Sequence, residues 1–366
     1  MQPRRKSRQI SVGDVPIGGD APISVQSMTT TKTEDVVATL EEIHRLEEAG
    51  CEIVRVAVPR ERDAKVLGKI RSQMRIPLIA DIHFDYRLAL MALDQGVDCI
   101  RLNPGNIGSK DRVKEVTRAA QARRVPIRIG VNAGSLEEDL LDQYGYPTAE
   151  AMVESAMRHV RILEDLDFED IKISIKASSV PLMVDAYRKL AVACDYPLHL
   201  GVTEAGMPPG GLVKSAIGIG MLLAEGIGDT IRVSLTADPV EEIVAGFDIL
   251  RTLNIRAKGA LIVACPTCGR IEVDLFKLVD EAKARLAHVE KPITVSILGC
   301  AVNGPGEARE ADIGIAGGKN GGILIRGGKI VGKYQEGELV DALVRAVDEL
   351  VAEDSTEEHS GKHAAI

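Results

Sequence analysis

The sequence contains no tryptophan, and aromatic residues make up only 3% of its 366 residues. The hydrophobic core must therefore be filled by Ala, Val, Ile and Leu, which is typical of barrel and layered α/β interiors. With 45% apolar residues the chain can bury ample surface. Its length exceeds what one hydrophobic core usually serves, so the sequence predicts two domains, or a barrel with an appended domain.

Long apolar runs and a positive net charge are also absent. No stretch approaches the roughly 18 uncharged apolar residues that a membrane-spanning helix needs, and no apolar segment follows the basic residues 1–6. The net charge of −9 argues against a surface for nucleic acid or anionic membranes. Six cysteines are too few for a disulfide scaffold in a chain of this size. We therefore expect a soluble cytoplasmic protein with neither nucleic acid nor membrane as a partner.

Three of the six cysteines have a spacing typical of a metal centre. Cys265 and Cys268 form a C-x-x-C motif, whose turn brings both thiols to the same side of the backbone. Cys300 ends an apolar run at 293–299, which we expect to be a strand that delivers a third thiol to the same place. No fourth cysteine follows, so the site needs a ligand of another kind or an open position. Glu307, on the glycine-rich turn that begins at Cys300, is the nearest candidate.

The spacing alone leaves three interpretations open: an iron–sulfur cluster, a structural zinc and a redox dithiol. A zinc site would need His288 or an acidic residue as its fourth ligand. The turn at 300–307 favours the cluster, because glycines let a backbone pass close to a bulky cluster and offer N–H groups to its sulfurs. The other cysteines, Cys51, Cys99 and Cys194, are predicted to be small buried hydrophobic side chains.

From residue 23 onward, short apolar runs alternate with amphipathic helical segments. Eight strand and helix units over about 250 residues predict a (β/α)8 TIM barrel. A doubly wound open sheet is the alternative, but it would normally carry a glycine fingerprint after its first strand, and none is there. The predicted strands are 23–28, 53–58, 77–83, 99–103, 126–132, 170–176, 197–203 and 230–236.

Polar residues recur at every second position of these strands. The outward face of a parallel barrel lies under helices and must be apolar, so the polar face is predicted to point into the barrel. A buried guanidinium without a partner costs several kcal/mol, and roughly five or six converging cations therefore predict a multiply charged anion, best a diphosphate. The alternative is that the cations pair with internal carboxylates such as Asp81 and Glu204. The inward set is Arg55, Asp81, His83, Arg101, Asn103, Arg128, Asn132, Lys172, Ser174, Lys176, Ser178, Arg232, Ser234 and Thr236.

After residue 256 the alternation gives way to a glycine-rich α/β pattern. Strands are predicted at 258–264, 293–298, 311–315, 322–326 and 329–334, and helices at 273–286 and 338–351. This is enough for a small domain of about 100 residues around the metal site. We therefore predict a barrel over 1–256, a smaller domain around the metal site over 257–352 and a disordered tail over 353–366.

Three runs carry a resemblance to a known family: residues 265–270 (CPTCGR), 299–307 (GCAVNGPGE) and 24–30 (SVQSMTT). They resemble the 4-hydroxy-3-methylbut-2-enyl diphosphate synthases of the non-mevalonate isoprenoid pathway, over about residues 5–351. The resemblance implies a TIM barrel joined to a domain with a 4Fe-4S cluster, held by Cys265, Cys268, Cys300 and Glu307. It also implies reductive ring opening of 2-C-methyl-D-erythritol 2,4-cyclodiphosphate, with loss of water. The short passage between the domains resembles the bacterial two-domain type.

The resemblance further implies roles for individual residues and for partners. Glu307, Glu204, Asn303 and His83 are the implied catalytic candidates, with Glu204 as a proton donor or hydrogen-bond partner and Asn303 on the cluster side. Electrons would come from flavodoxin or ferredoxin, and the expected assembly is a head-to-tail homodimer. The residues implied to hold the cyclic diphosphate are Arg55, His83, Arg101, Arg128, Asn132, Lys176, Arg232 and Ser234.

Two other functions compete with this one. A zinc-dependent barrel hydrolase or lyase acting on a phosphorylated compound would be colourless and hold one zinc per chain. An iron–sulfur sensor or electron carrier would have no use for a barrel lined with cations. The C-x-x-x-C-x-x-C spacing of radical S-adenosylmethionine enzymes is absent.

Overall fold

A computed structural model describes residues 1–300, 306, 310–319 and 321–361, with side chains up to residue 353. The chain divides into two compact units, Met1–Arg256 and Ala257–Ile366. The boundary lies where the sequence pattern changes from regular alternation to a glycine-rich context. No helix in the described part of the chain is both long and apolar enough to cross a membrane.

The first unit is built on a sheet of eight strands, in the order β8-β7-β6-β5-β4-β3-β10-β9. Neighbouring strands are parallel. A parallel bridge between Ile173 and Leu198, with Ile173 N donating to Pro197 O at 2.9 Å, joins β8 to the start of β9 and closes the barrel. The predicted TIM barrel is confirmed. Its strands are β3 (Ser24–Met28), β4 (Ile53–Ala57), β5 (Leu78–Asp81), β6 (Cys99–Arg101), β7 (Ile127–Asn132), β8 (Ile171–Lys176), β9 (His199–Leu200) and β10 (Thr230–Ile231).

The helices of this unit begin at capping residues that follow the strands. Asp35 accepts a hydrogen bond from Ala38 N at 3.2 Å, and Asp238 accepts one from Val240 N at 2.9 Å, with Pro239 at the first helical position. Buried aliphatic side chains of the helices and of the outward strand faces form one large core. The helices are α1 (Val36–Glu48), α2 (Glu61–Arg71), α3 (Tyr86–Asp94), α4 (Lys110–Arg123), α5 (Glu138–Tyr144), α6 (Ala149–Glu164), α7 (Val180–Ala193), α8 (Gly210–Ala224) and α9 (Pro239–Thr252).

The last two barrel strands are shorter than predicted. The runs at 197–203 and 230–236 contribute only β9 and β10, of two residues each. A residue belongs to the sheet only where its backbone pairs with a neighbouring strand, as Thr230 pairs with Ser24 and His199. Beyond that point the chain carries polar side chains toward the mouth of the barrel outside the regular ladder.

An N-terminal hairpin, which the sequence analysis missed, covers one end of the barrel. Its strands are β1 (Ile10–Val12) and β2 (Val15–Ile17), joined by a turn in which Gly13 has a φ of +59°. Strands of three residues are too short to give a periodic signal. The apolar side chains of the hairpin lie against the first inward residues of β4, β5 and β6, which are Ile53, Ile79 and Cys99. The amino ends of the strands are thereby filled, and a ligand must enter at their carboxyl ends.

The second unit contains a five-stranded sheet in the order β11-β12-β13-β14-β15. The first three strands are parallel, and β14 and β15 are antiparallel to their neighbours. All the strands and helices predicted for this unit are present. They are β11 (Ala260–Ala264), α10 (Leu275–Arg285), β12 (Ile293–Leu298), β13 (Ile313–Gly318), β14 (Gly321–Arg326), β15 (Lys329–Tyr334) and α11 (Leu339–Gly361).

The last helix corrects the prediction for the end of the chain. Helix α11 runs to Gly361 instead of ending at Val351, so the expected disordered tail from residue 353 is wrong as far as that glycine. An acidic and polar composition is typical of disorder, but residues 353–360 contain neither glycine nor proline to stop a helix. Residues 362–366 lie outside the described part of the chain.

We expect Ile17→Ala to lower the thermal unfolding temperature of the barrel. Ile17 is fully buried in the cluster that fills the amino ends of the strands, and truncating such a side chain costs about 2–5 kcal/mol in unfolding free energy. The matched control is Val37→Ala, because Val37 is 67% exposed and its truncation should change little. Equal unfolding temperatures for the two variants would show that the hairpin does not belong to the cooperative core.

Candidate functional site

Three neighbouring strands bring an ion-paired group to the interior of the barrel. Asp81 at the end of β5 lies 3.2 Å from Arg101 Nη1 and 3.7 Å from Arg55 Nε. The side chains of all three are at least seven-eighths buried. Arg101 also donates to Gly130 O at 2.7 Å and to His83 Nε2 at 2.9 Å. One carboxylate therefore serves two guanidiniums, and positive charge is left over.

Electrostatics keeps this carboxylate ionised. Burial by itself would raise the pKa of Asp81, but Arg55, Arg101 and Arg128 lower it to about 2. The pKa of Arg55 lies well below its ordinary value because the group is desolvated and the other arginines repel it. The pKa of His83 is lowered by partial burial and by the same arginines, although Asp81 opposes the shift. Its ring is 56% exposed, so a neutral, accessible imidazole stands at the mouth.

The next two strands add cations without carboxylate partners. Arg128 on β7 donates to Ser174 Oγ at 2.6 Å, while its Nε and Nη2 have no hydrogen-bond partner among the described residues. Lys176, at the end of β8, is 7% exposed and makes no ion pair within the described chain. Its pKa is well below the ordinary lysine value, because of burial and of the neighbouring Arg232, Arg128 and Arg55. An anion entering the barrel would meet both cations unpaired.

Arg232 follows β10, which lies between β9 and β3 in the barrel. Its Nε lies 3.7 Å from Glu242 on α9, and its Nη1 lies 3.8 Å from Met28 Sδ. Arg55 donates to the same sulfur at 2.9 and 3.1 Å. Glu242 is already bound by Ser27 Oγ and by Leu235 N, each at 2.9 Å. Its charge is thus shared with a hydroxyl and an amide, and Arg232 keeps hydrogen-bonding capacity for a ligand.

Two glycines leave room for these cations. A Cβ atom on Gly130 would lie 2.5 Å from Arg101 Nε, and one on Gly201 would lie 2.6 Å from both Lys176 Nζ and Arg232 O. Asn103 braces the first position, since its side chain accepts from Gly130 N at 2.9 Å and donates to Gly130 O at 3.0 Å. The glycines are required here by close approach to charged side chains.

The remaining predicted barrel residues have different outcomes. Asn132 at the end of β7 and Ser234 beyond β10 are half-buried at the same mouth. Glu204 is exposed and has a φ of +52°, and its carbonyl accepts from Lys214 Nζ at 3.1 Å. No ion pair joins Glu204 to the cations within the described residues. Within the described residues, Asp81 and Glu242 are the carboxylates that meet the alternative in which internal carboxylates neutralise these cations.

The predicted cluster site lies at the carboxyl ends of two strands of the second sheet. Strands β11 and β12 are parallel neighbours with Ala264 aligned to Ile297, so Cys265 and Cys300 follow the strands at the same end of the sheet. Gly299 N donates to Cys265 Sγ at 3.3 Å. This is the backbone N–H contact to sulfur that an iron–sulfur site uses. The donors therefore fit the proposed cluster.

Cys268 is the exposed member of the three. Backbone and side-chain hydrogen bonds from Arg270 lower the pKa of its thiol, which favours the thiolate that binds metals. Within the described residues, no three His, Cys, Asp or Glu side chains are close enough together to form a metal site. The predicted ligand Glu307 and the predicted catalytic residue Asn303 lie outside the described part of the chain.

The other cysteines behave as predicted, with one qualification. Cys51 and Cys99 are buried, and Cys194 is half-buried. Burial raises the pKa of all three thiols, that of Cys51 to about 12. These thiols are protonated at neutral pH and are poor metal ligands.

Comparison with known proteins agrees with this geometry. Residues 7–247 match the GcpE TIM-barrel domain, and residues 261–349 match the GcpE protein C-terminal domain. The chain belongs to the GcpE family. The resemblance drawn from the three sequence runs is thereby confirmed.

Named relatives of this GcpE-family chain are similar over almost its whole length. The 4-hydroxy-3-methylbut-2-en-1-yl diphosphate synthase (flavodoxin) of Geobacter sulfurreducens is 59% identical over 350 residues, which cover 96% of this chain and 99% of the relative. The protein of the same name from Listeria monocytogenes is 57% identical over 350 residues, covering 96% and 95%. Among solved structures, dihydropteroate synthase from Stenotrophomonas maltophilia has a TM-score of 0.51 at 13% identity, over 68% of this chain and 97% of that one. That likeness shows the fold alone.

Four polar or sulfur-bearing residues of the barrel interior escaped the sequence analysis as site residues. Three of them had a signal, because Gln26 and Met28 alternate on one face of a predicted strand, and His199 is two positions before Gly201 on another. Glu242 had none, since it reaches the interior from a helix and pairs with Arg232 only through the tertiary fold.

We expect Gly201→Ala to weaken binding of the cyclic diphosphate by roughly tenfold or more. The added methyl group would displace Lys176 or the backbone at Arg232. Calorimetric titration of the purified, oxidised protein measures the affinity. Gly220→Ala is the matched control, because its Cβ would meet nothing within 4 Å. Unchanged affinity in Gly201→Ala would show that Lys176 is not needed at that position.

Proposed function

We propose that this chain is an iron–sulfur reductase that converts 2-C-methyl-D-erythritol 2,4-cyclodiphosphate to 4-hydroxy-3-methylbut-2-enyl diphosphate. The observation that carries the proposal is the surplus of buried cations. Asp81 and Glu242 face Arg55, Arg101 and Arg232, while the other interior cations have no carboxylate partner in the part of the chain that the structure describes. A multiply charged anion would restore neutrality at one site. The names of the relatives from Geobacter and Listeria supply the diphosphate chemistry.

The barrel residues bind and orient the substrate. Arg101, Arg128 and Arg232 have guanidinium forks that match phosphate oxygens, and Lys176 adds a point charge. Asn132 and Ser234 offer neutral hydrogen bonds at the same mouth. His83 stands at the exposed end of the group, where its neutral imidazole can accept or donate a hydrogen bond to a hydroxyl of the substrate. Glu204 is kept as a candidate proton donor that would have to turn inward.

The second unit would hold the redox group. We propose that Cys265, Cys268, Cys300 and Glu307 bind a 4Fe-4S cluster, with Asn303 beside it. When bound, the cluster supplies electrons one at a time, and its carboxylate-bound iron can act as a Lewis acid on a carbon–oxygen bond. At the carboxyl ends of β11 and β12, the chain holds Cys265 next to Gly299 N. Flavodoxin is the proposed electron donor, since it appears in the names of the relatives, and ferredoxin is the alternative.

The proposed assembly is a head-to-tail homodimer. Arg256, at the end of the first unit, donates to Glu52 at 2.6 and 2.8 Å and to Ile23 O at 3.1 Å, and these residues precede β4 and β3. The chain thus leaves the barrel at the amino ends of its strands, whereas the cations lie toward the carboxyl ends. Only residues 257–259 separate Arg256 from β11. This supports an arrangement in which the cluster of one chain serves the barrel of another.

The first test is the metal content of the anaerobically purified protein. We expect about four irons and four sulfides per chain and a brown colour that dithionite bleaches. Cys265→Ser, Cys268→Ser and Cys300→Ser should each lose most of the iron, and Cys194→Ser, the matched control, should keep it. A colourless protein with stoichiometric zinc, unchanged after anaerobic reconstitution, would instead support the zinc hydrolase and overturn the reductive reaction.

Glu307→Gln tests the proposed fourth ligand. Because a neutral amide is a weaker iron ligand than a carboxylate, the variant should lose iron or activity. We would compare its iron content and its turnover of the cyclic diphosphate, with reduced flavodoxin, against those of the unchanged protein. Full cluster content together with full activity would exclude a role for the carboxylate.

A mixing experiment tests the head-to-tail dimer. Arg128→Met should be inactive because it fails to bind substrate, and Cys300→Ser should be inactive because it loses the cluster. If the barrel and the cluster of one site come from different chains, unfolding and refolding equal amounts together should restore roughly a quarter of the activity, because half the dimers then hold one complete site. A mixture as inactive as its two components would show that each site is made within one chain.

A further inference from the structure

A second tier of polar side chains lies deep in the barrel and shares Arg128 with the proposed diphosphate residues. Gln26, Arg128, Lys172 and His199 are each at most 1% exposed. Among the described residues, no hydrogen-bond partner meets Lys172 Nζ, either ring nitrogen of His199, or the side-chain amide of Gln26. Buried polar atoms are normally paired, so an unpaired set of this size indicates a functional constraint.

Lys172 is the charged centre of this tier. It is aligned with Arg128 in the β7–β8 ladder and lies two residues before Ser174 on the inward face. The interior carboxylate whose charge acts on Lys172, Asp229, is already bound by Arg4 Nη2 at 2.8 Å, Ser7 Oγ at 3.0 Å and Leu198 N at 2.8 Å. The ammonium group is thus buried beneath the binding cations, and no carboxylate of the described chain pairs with it.

The proposed reaction raises the negative charge that the barrel must hold. Each phosphorus of the cyclic diphosphate carries one ionisable oxygen. Two electrons and two protons break one carbon–oxygen bond to phosphate and one to a hydroxyl, form a carbon–carbon double bond and release water. The freed phosphate oxygen then becomes a further ionisable group, which is charged at neutral pH.

We propose that Lys172, together with Arg128, is a positioning charge that compensates this additional negative charge, so that the barrel binds the ring-opened diphosphate more tightly than the cyclic one. This inference rests on the proposed function. Part of the charge is already on the departing oxygen in the transition state, so a charge fixed in advance lowers the barrier to ring opening. The upper cations capture either diphosphate, and Lys172 discriminates between them.

The test measures affinity and does not depend on turnover. Substrate, ring-opened product and inorganic diphosphate are titrated calorimetrically into the anaerobic, cluster-loaded protein without an electron donor. For Lys172→Met we expect affinity for the product and for inorganic diphosphate to fall about tenfold more than affinity for the substrate. The control is Lys114→Met, which removes an exposed lysine on α4 and should change none of the three affinities.

The ligand-free variant gives a second readout. Replacing an unpaired buried charge by an apolar side chain of similar size should raise the unfolding temperature of Lys172→Met. If the role of Lys172 were purely structural, its replacement would remove a stabilising interaction and the unfolding temperature would fall. If Lys172→Met does not fold, Lys172→Gln keeps the test, because it removes the charge and retains hydrogen-bonding capacity.

The preference should also depend on pH. Burial lowers the pKa of Lys172 to about 8, and a bound diphosphate raises it again, so the preference is complete below pH 8 and declines above it. Lys172→Met should lack this decline, which separates it from the titration of Lys176. Ionisable groups that face Lys172 from the other elements are Arg55, Cys99, Arg128, His199 and Asp229.

The outcomes separate this inference from the proposed function. Equal losses of affinity for all three ligands in Lys172→Met would overturn the role of Lys172 and leave the reductase intact. An unchanged protein that binds inorganic diphosphate but not the cyclic diphosphate would overturn the proposed substrate. Selective loss for the two open diphosphates, with a stabilised free variant, is the result that supports Lys172 as the compensating charge.

Discussion

The first unit depends on the imbalance of charge inside its barrel. Asp81 and Glu242 are the interior carboxylates that pair with the arginines, while Arg128, Lys172 and Lys176 have no such partner in the described chain. Such a set is tolerated only because a large aliphatic core surrounds it and supplies the stability that the buried charges remove. The same imbalance makes the barrel a strong trap for anions.

The two ends of the barrel differ in the side chains that line them. The hairpin of β1 and β2 packs Ile10, Val12 and Ile17 against the amino ends of the strands. The carboxyl ends carry the charged side chains and the glycines that give them space. Chemistry at the carboxyl ends is the general rule for this fold, and here the closed lower end also keeps the buried cations away from water.

In the second unit the important constraint is the direction of the strands. A thiol that follows β11 and one that follows β12 lie at the same end of the sheet because the two strands are parallel. An antiparallel pair would have placed Cys265 and Cys300 at opposite ends of the sheet. The contact of Gly299 N with Cys265 Sγ follows from the same alignment, and it places a backbone N–H donor beside a sulfur atom.

The sequence by itself determined the barrel, the second unit and the inward direction of Arg101, Arg128, Lys176 and Arg232, because each follows from a local period of two or from short-range spacing. It also determined the C-x-x-C pair and its family. Only the tertiary structure decided which charges are neutralised: Glu242 reaches Arg232 from a helix, Glu204 turns to solvent, and Asp229 is occupied by the N-terminal segment. The pairing of Arg4 with Asp229 joins residues 225 positions apart, and the contact of Arg232 with Glu242 joins a strand end to the following helix, so no local period encodes either. Helix α11 ran past its predicted end for a related reason, since composition describes solubility and does not by itself stop a helix.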